Sequence, residues 1–585
     1  MKRPLIYYFV SVFIGCLSSL LLYENALIGA VITASFFAVL FFTLNKNFFI
    51  LNMLFLIVGA LSFVLYFNIK IYNPIELRIT ENKGYYCLAE YKGRKILVNG
   101  KVNKIEEGKL LKVYGKFENN KDYTSGIVGT YKIDKYEVCN KDMLYYLYEI
   151  KRNIYLQFKQ KLGEDKSSVI MALCYGDAGY LTKSQKNDFK KLGVFHAISV
   201  SGFHMAIIYK VLEFTIGLKF AVVTSFLYLI FTGMQASTAR AFIMILAFKS
   251  SKLVFKNYDS LSSLGLAGVI LLIMKPYYIM DIGFMLSFLA TLGILLYYKK
   301  TLRILYRLPK ALNESLSITL SSQIFSVPYT AFNIQNFSGG FILGNILLLP
   351  MYSAIVILGN LALLMCSMPV VFDIFSKLLN FVLTATEGAN YLILKICPPI
   401  THLTYLDGFA LMAIYLGFLL YVHGHVRFKY FPVFVLVLMM WQNYSFLPYI
   451  YYVPLSQGEG IIVEYKMNKT MICNYDQSSA KEIIELKEKM NIDKIITNPK
   501  QKLKIDIGSS LHLNITPYGE RKFFNININE GQSEFIPVNS NNKDNSATKA
   551  LNQKPENNFF MNKEHNIEEN LSLYVIIFRK IIKVY

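Results

Sequence analysis

The chain has 585 residues, of which 54% are hydrophobic, with a mean hydropathy of +0.37 and a formal net charge of +22. Apolar runs of about 18 residues recur along it, which excludes a soluble multidomain protein and identifies a polytopic membrane protein. So large a basic excess suits cytoplasmic loops, anionic lipid or nucleic acid, and composition alone does not choose among them.

Stretches 5–23, 26–44 and 48–69 can each cross about 30 Å of hydrocarbon at about 1.5 Å per residue. Lys2 and Arg3 precede the first, the first turn has no base, and Lys46 lies in the second. By the positive-inside rule the N-terminus is cytoplasmic and residue 70 emerges outside. The opening MKRP and its apolar run resemble a signal sequence. Further spans follow without an A-x-A-like site, so region 1–70 is expected to hold three transmembrane helices.

Region 71–142 is basic and turn-rich, with alternating segments at 86–91, 94–98, 110–117 and 127–138 separated by Lys-Gly, Asn-Gly, Glu-Gly and Ser-Gly. This pattern predicts a small extracytoplasmic all-β module, a five-stranded barrel of the OB type. Lys92, Arg94, Lys101, Lys112, Lys116 and Lys132 are interleaved with tyrosines. Such a surface suits single-stranded nucleic acid, whose bases stack on rings while lysines follow phosphates. A plain solvated β surface explains the same residues. Cys87 and Cys139 bracket the module, and outside the cell a disulfide between them is expected, against the alternative of two thiols. Cys16, Cys174, Cys366 and Cys397 read as small core residues.

Region 143–191 reads as amphipathic helix lying on the membrane. Region 192–450 is a transmembrane domain with apolar segments at 220–231, 237–248, 261–274, 282–298, 316–332, 341–366, 370–396, 406–422 and 431–447. Lys249, Lys252 and Lys256 occupy one loop, and Lys299, Lys300, Arg303, Arg307 and Lys310 another. Both loops, with Arg427 and Lys429, are expected inside, which puts residue 451 onward outside. Region 451–520 reads as a short α/β segment, with strands at 460–465, 470–474 and 492–496 and a helix at 479–490. Region 521–585 is Asn-rich and expected to be disordered.

The chemistry concentrates in 192–209, LGVFHAISVSGFHMAIIY, where His196, Ser199, Ser201, Gly202 and His204 lie in an otherwise apolar run. Unsatisfied polar groups in lipid cost several kcal/mol each, so this run should face a protein interior or a water-filled path. A metal site would need further ligands than the two histidines, and none is nearby in sequence. Anion donors and bundle histidines satisfied by carbonyls both fit. Arg240 sits inside an apolar helix, where a guanidinium is a functional candidate suited to phosphate, or alternatively the partner of Asp281. Gln323, Pro328, Asn333, Asn345 and Pro350 are further polar or helix-breaking residues at membrane depth. No Walker A, Gly-rich nucleotide fingerprint, H-E-x-x-H or G-x-S-x-G motif is present, so no ATP hydrolysis and no enzyme activity is expected.

FHAISVSGFHM, the G-x-x-x-S-x-x-R-A of Gly233 to Ala241, DIGFMLSFLATLGI from Asp281 and the Gln323, Pro328, Asn345, Pro350 series resemble the competence domain of the ComEC family over roughly residues 170–450. The resemblance implies an inner-membrane channel for DNA uptake in bacterial transformation. His196, Ser201, Gly202, His204, Arg240, Asp281, Gln323 and Asn345 would lie along its path. It also implies single-stranded DNA as partner, a separate DNA receptor and nuclease, a cytoplasmic helicase-like ATPase, membrane lipid, and no cofactor. Whether one chain or a homo-oligomer forms the channel is left open. Many members end in a metallo-β-lactamase-like domain. Here PLSQGEGIIV at 454–463 resembles its first strand, with Glu459 replacing an Asp, while the H-x-H-x-D-H motif is absent. Region 451–520 is therefore expected to be a truncated remnant without nuclease chemistry. The competing functional class is a transporter or exporter of a smaller anionic solute.

Overall fold

The computed structural model describes residues 3–100, 105–198, 202–255, 257–397 and 400–442, and shorter stretches from 444 to 583. It divides into two units, residues 1–329 with 338–399, and residues 330–337 with 400–585.

The first unit opens with α1 Pro4–Glu24, α2 Ala26–Thr43 and α3 Lys46–Phe67. Pro4 sits in the first turn of α1, and Asn25 ends that helix while its side chain accepts from Ile28 N–H to cap the next. A barrel follows: β1 Ile75–Asn82, β2 Cys87–Tyr91, β3 Arg94–Gly100, β4 Leu110–Glu118 and β5 Ile127–Val138. The strands close in the order β1-β2-β3-β5-β4, with β3 and β5 parallel. The expected five-stranded barrel is present. Its first strand, ahead of the alternating segments read from sequence, buries Ile75, Leu77 and Ile79 at every second residue.

The expected disulfide is not formed. Cys139 N–H donates to Leu110 C=O, and Leu110 pairs with Arg78 on β1. Cys87 pairs with Asn82, four residues further along that strand. Four residues of strand span roughly 13 Å, beyond the about 7 Å between Cα atoms that a disulfide tolerates. Flanking a module in sequence put these cysteines at different heights of the barrel.

Next come α4 Met143–Leu162, α5 Glu164–Tyr175, α6 Lys183–Lys191, α7 Phe195–Ile198, α8 Gly202–Ile216, α9 Leu218–Phe231, α10 Ala236–Leu253 and α11 Ser260–Met274. The last helices of this unit are α12 Ile282–Ile304, α13 Lys310–Asn333 (whose end enters the second unit), α14 Phe341–Leu364 and α15 Pro369–Ile396. The amphipathic reading of 143–191 fits α4 but not α5, where every residue from Ile170 to Tyr175 is buried. Tyr175 donates to Gly359 C=O at 2.8 Å, and Tyr228 to Cys174 C=O at 2.6 Å, so α5 is a core helix.

Six helices among the described residues are long and apolar enough to cross a membrane: α1, α2, α3, α12, α14 and α15. α10 and α13 are long enough but too polar, while α9 and α11 are shorter apolar helices. The central packing uses glycine contacts. A Cβ on Gly15 would stand 2.1 Å from Leu56 O, and one on Gly59 2.3 Å from Val12 O, so α1 and α3 touch backbone to backbone. α1 also packs on α11 at Gly265 and Gly268.

In the second unit, β6 Asn336–Phe337 pairs with β7 Thr401–His402, followed by α16 Tyr405–Val422 and α17 Phe431–Gln442. The expected apolar span at 431–447 ends early, because Ser445–Leu455 is strand β8, paired with β9 Gly458–Lys466. After β10 Asn468–Tyr475 come α18 Ala480–Lys489 and β11 Lys494–Thr497, which runs parallel to β10. β12 Leu503–Asp506, β13 His512–Tyr518 and β14 Phe523–Ile528 form a separate sheet. The expectation of disorder from 521 fails at two places. Phe523–Ile528 is β14, and Ser572–Ile577 and Lys580–Lys583 form β15 and β16, with β15 pairing to β8. Apolar alternation in SLYVII, at a distance in sequence, completes the order β11-β10-β9-β8-β15-β16.

Candidate functional site

α8 and α10 run side by side in the same direction. Gly202, the first residue of α8, meets the first turns of α10, where its Cβ would stand 3.3 Å from Ser237 O and 3.1 Å from Ala241 Cβ. Toward their far ends Lys249 of α10 and Glu213 of α8 form an ion pair. Both helices begin at the end of the bundle nearest the barrel. Gln235, just ahead of α10, donates to Gly176 C=O at 3.2 Å, and Tyr278 OH donates to Met234 C=O at 3.4 Å. Gly126, ahead of β5, lies against the neighbouring Tyr277 ring.

Arg240 lies in this cleft and is 8% exposed. Its guanidinium sits 6.0 Å over the Phe288 ring. Among the described residues no carboxylate pairs with it, and its Nε has no hydrogen-bond partner. A Cβ on Gly202 would stand 2.7 Å from Arg240 Nη2, so the guanidinium occupies the space that a side chain at 202 would fill.

Asp281 is not the partner of Arg240. It is the N-cap of α12, and its Oδ1 accepts from Phe284 N–H at 2.6 Å. Of the other predicted path residues, His196 lies exposed in α7 and His204 is buried in the first turn of α8. Ser199 and Ser201 lie outside the described residues. Asn345 is buried on α14 and donates to Thr319 Oγ1 at 3.5 Å, and Gln323 is half-buried on α13.

Sequence reasoning missed the hydroxyl-rich helix that carries Thr319, the partner of Asn345. Ser317, Thr319, Ser321 and Ser326 of α13 are buried, and Thr301 of α12 shares a 2.6 Å hydrogen bond with Ser321. The signal was legible as ESLSITLSSQIFS, a helix with a hydroxyl at nearly every second position and too polar for a lipid-facing span.

The six predicted barrel cations do not form one free surface. Arg94 donates to Leu65 C=O at the end of α3, Lys132 pairs with Glu118 at 2.6 Å, and Lys101 lies outside the described residues. Lys92 lies over the Tyr91 ring, Lys116 is exposed and Lys112 half-buried. Three other lysines meet where barrel and bundle join. Lys95 stands 4.7 Å over the Tyr277 ring, Lys275 5.6 Å over Tyr278 and Lys151 5.2 Å over Phe231. Burial holds all three below the ordinary lysine range, while Asp281 and Glu90 near Lys95 and Lys275, and Asp177 and Glu107 near Lys151, act the other way. The mouth of the bundle is thus a mixed-charge, aromatic-lined junction.

Residues 173–427 match the Competence protein family model. ComE operon protein 3 of Bacillus subtilis (strain 168) is 25% identical over 270 residues, covering 44% of this chain and 34% of that protein. The match thus spans about a third of that relative's length. No solved structure matches. Residues 173–427 are thus similar to the competence family, within a chain that combines polytopic helices with a five-stranded barrel. Arg240, Gly202, the histidines, Asp281, Gln323 and Asn345 fall within the matched region, whereas the barrel lies outside it.

Proposed function

We propose that this chain forms a channel in the bacterial cytoplasmic membrane that admits single-stranded DNA to the cytoplasm. The observation that carries the reading is Arg240, a buried guanidinium without a carboxylate partner among the described residues, set in the family-matched region at the barrel end of the bundle. A cation kept at membrane depth calls for an anion that passes or docks there. The hydroxyl row of α13 adds polar groups in the same matched region, and the barrel adds exposed lysines such as Lys92 and Lys116.

Orientation follows from charge. Arg3 pairs with Asp259 at 3.2 Å, which sets the N-terminus at the same end as Lys249 and Lys252 and opposite the barrel. The positive-inside rule makes that end cytoplasmic. In this reading a separate receptor, nuclease and cytoplasmic helicase-like ATPase deliver, trim and pull the strand.

The test is entry of fluorescently labelled linear DNA into a nuclease-protected pool, in cells lacking this protein and in cells regaining it. Restored entry is expected. If entry is the same in both, while the protein moves a smaller labelled phosphate ester across vesicle membranes, the solute-transporter reading replaces this one.

A further inference from the structure

The first turns of α8 and α10 meet at the Arg240 guanidinium, and this arrangement has a use beyond lining a path. In each helix the first N–H groups have no carbonyl partner within the helix. Together they place a partial positive charge at the N-terminus. Gln235, the residue that precedes α10, makes no side-chain cap. The two helices run in the same direction, so their positive ends add at one place instead of cancelling. Between them lies a side chain more than nine-tenths buried, with an unpartnered Nε among the described residues and a planar fork suited to two oxygens. Asp281, the acid expected from sequence to pair with it, is already committed to capping α12, while Glu213 pairs with Lys249 and Asp259 with Arg3.

We infer that the α8 and α10 N-termini together with Arg240 form a binding site for one phosphate-class oxyanion, and that residue 202 is glycine because any side chain there would displace the guanidinium. The site holds a single phosphate group, so a polynucleotide would pass it one phosphodiester at a time. This deepens the DNA reading by naming the group recognised, yet it stands on geometry that any phosphate monoester or diester would satisfy. The Phe288 ring lies against the guanidinium, and Gly202 leaves the room that its fork occupies.

The test uses the full chain in nanodiscs of zwitterionic lipid, with two probes. The first is inorganic phosphate, read as a shift in thermal unfolding. The second is a fluorescein-labelled thymidine trinucleotide with either phosphodiester or uncharged methylphosphonate linkages, read by anisotropy. Wild type should be stabilised by phosphate and should prefer the phosphodiester. Arg240→Gln should weaken both responses roughly ten- to hundredfold, the usual effect of losing a charge-assisted hydrogen-bond pair. Gly202→Ala should do the same although it retains the arginine, and Arg240→Lys should keep part of the affinity. If Arg240→Gln does not fold, the other two variants decide the matter. Phosphate stabilisation that survives both Arg240→Gln and Gly202→Ala overturns the site, as does its absence in wild type. Stabilisation by phosphate with no preference for the phosphodiester keeps the site and overturns the DNA reading instead.

Discussion

At the scale of single residues, what is missing from a side chain decides as much as what is present. Gly15 and Gly59 let α1 and α3 approach until backbone carbonyls face Cα atoms. Gly15→Ala places a methyl 2.1 Å from Leu56 O, so the helices must separate. A loss of about 1–3 kcal/mol is expected for such overpacking, measured as a lower unfolding midpoint of the purified protein. A second residue works by bridging. Tyr66 on α3 donates its hydroxyl to Gly126 C=O at 3.1 Å and accepts from Lys95 N–H at 3.2 Å, tying the transmembrane helix to the barrel. Tyr66→Phe keeps the ring and removes both bonds. It should cost about 1–3 kcal/mol, appearing as faster hydrogen exchange in β3 and at 126–131, while α1 is unaffected. Uniformly faster exchange would show that the hydroxyl is not a local tie.

At the scale of elements, the junction between barrel and α4 is ionic. Arg78 of β1 grips Asp142, the N-cap of α4, with one hydrogen bond of 2.9 Å and a second, shorter contact. Arg152 of α4 reaches back to Glu106 at 2.8 Å. Arg78 holds the Asp142 carboxyl below the ordinary range, and Arg152 with Lys109 does the same for Glu106. A carboxylate whose pKa is depressed by folding contributes stability above its unfolded pKa and loses it as pH falls through the folded value. The contribution is therefore full at neutral pH and declines below about pH 4. Exchange rates in α4, corrected for the intrinsic effect of pH, should rise across that range, and Arg78→Ala should flatten the rise. Both carboxylates are substantially exposed, so solvent screening keeps the effect local. The β8 edge makes a second prediction. Removing residues 572–585 strips its β15 partner and leaves backbone N–H and C=O groups unpaired. Proteolytic nicking within 445–455 should then increase; an unchanged pattern would mean that the β15 pairing protects nothing.

At the scale of the whole molecule, the first unit is a bundle whose one end carries the barrel and whose other end gathers Arg3, Lys249 and Lys252. In a background without Cys139, Lys116→Cys should react with a membrane-impermeant maleimide on intact cells, and Lys252→Cys only after permeabilisation. The reverse pattern would invert the proposed orientation.

Sequence by itself determined the membrane class, the barrel and the list of costly polar residues. Each rests on local periodicity or on the cost of burying polarity in lipid, and both are written in the order of residues. It went astray wherever distance across the fold mattered. Cys87 and Cys139 bracket the strands legible in sequence but stand apart along β1, the strand that sequence reading did not find. α5 opens with Glu164, Asp165 and Lys166 and so passed for a continuation of the surface helix before it, yet from Ile170 onward it is buried in the bundle. β15 completes a sheet begun more than a hundred residues earlier. Arg240 was legible as an anomaly, and Asp281 as its natural answer. Only the tertiary structure turned Asp281 into a cap for α12 and set Gly202 against the guanidinium, because packing, not sequence spacing, decides which groups meet.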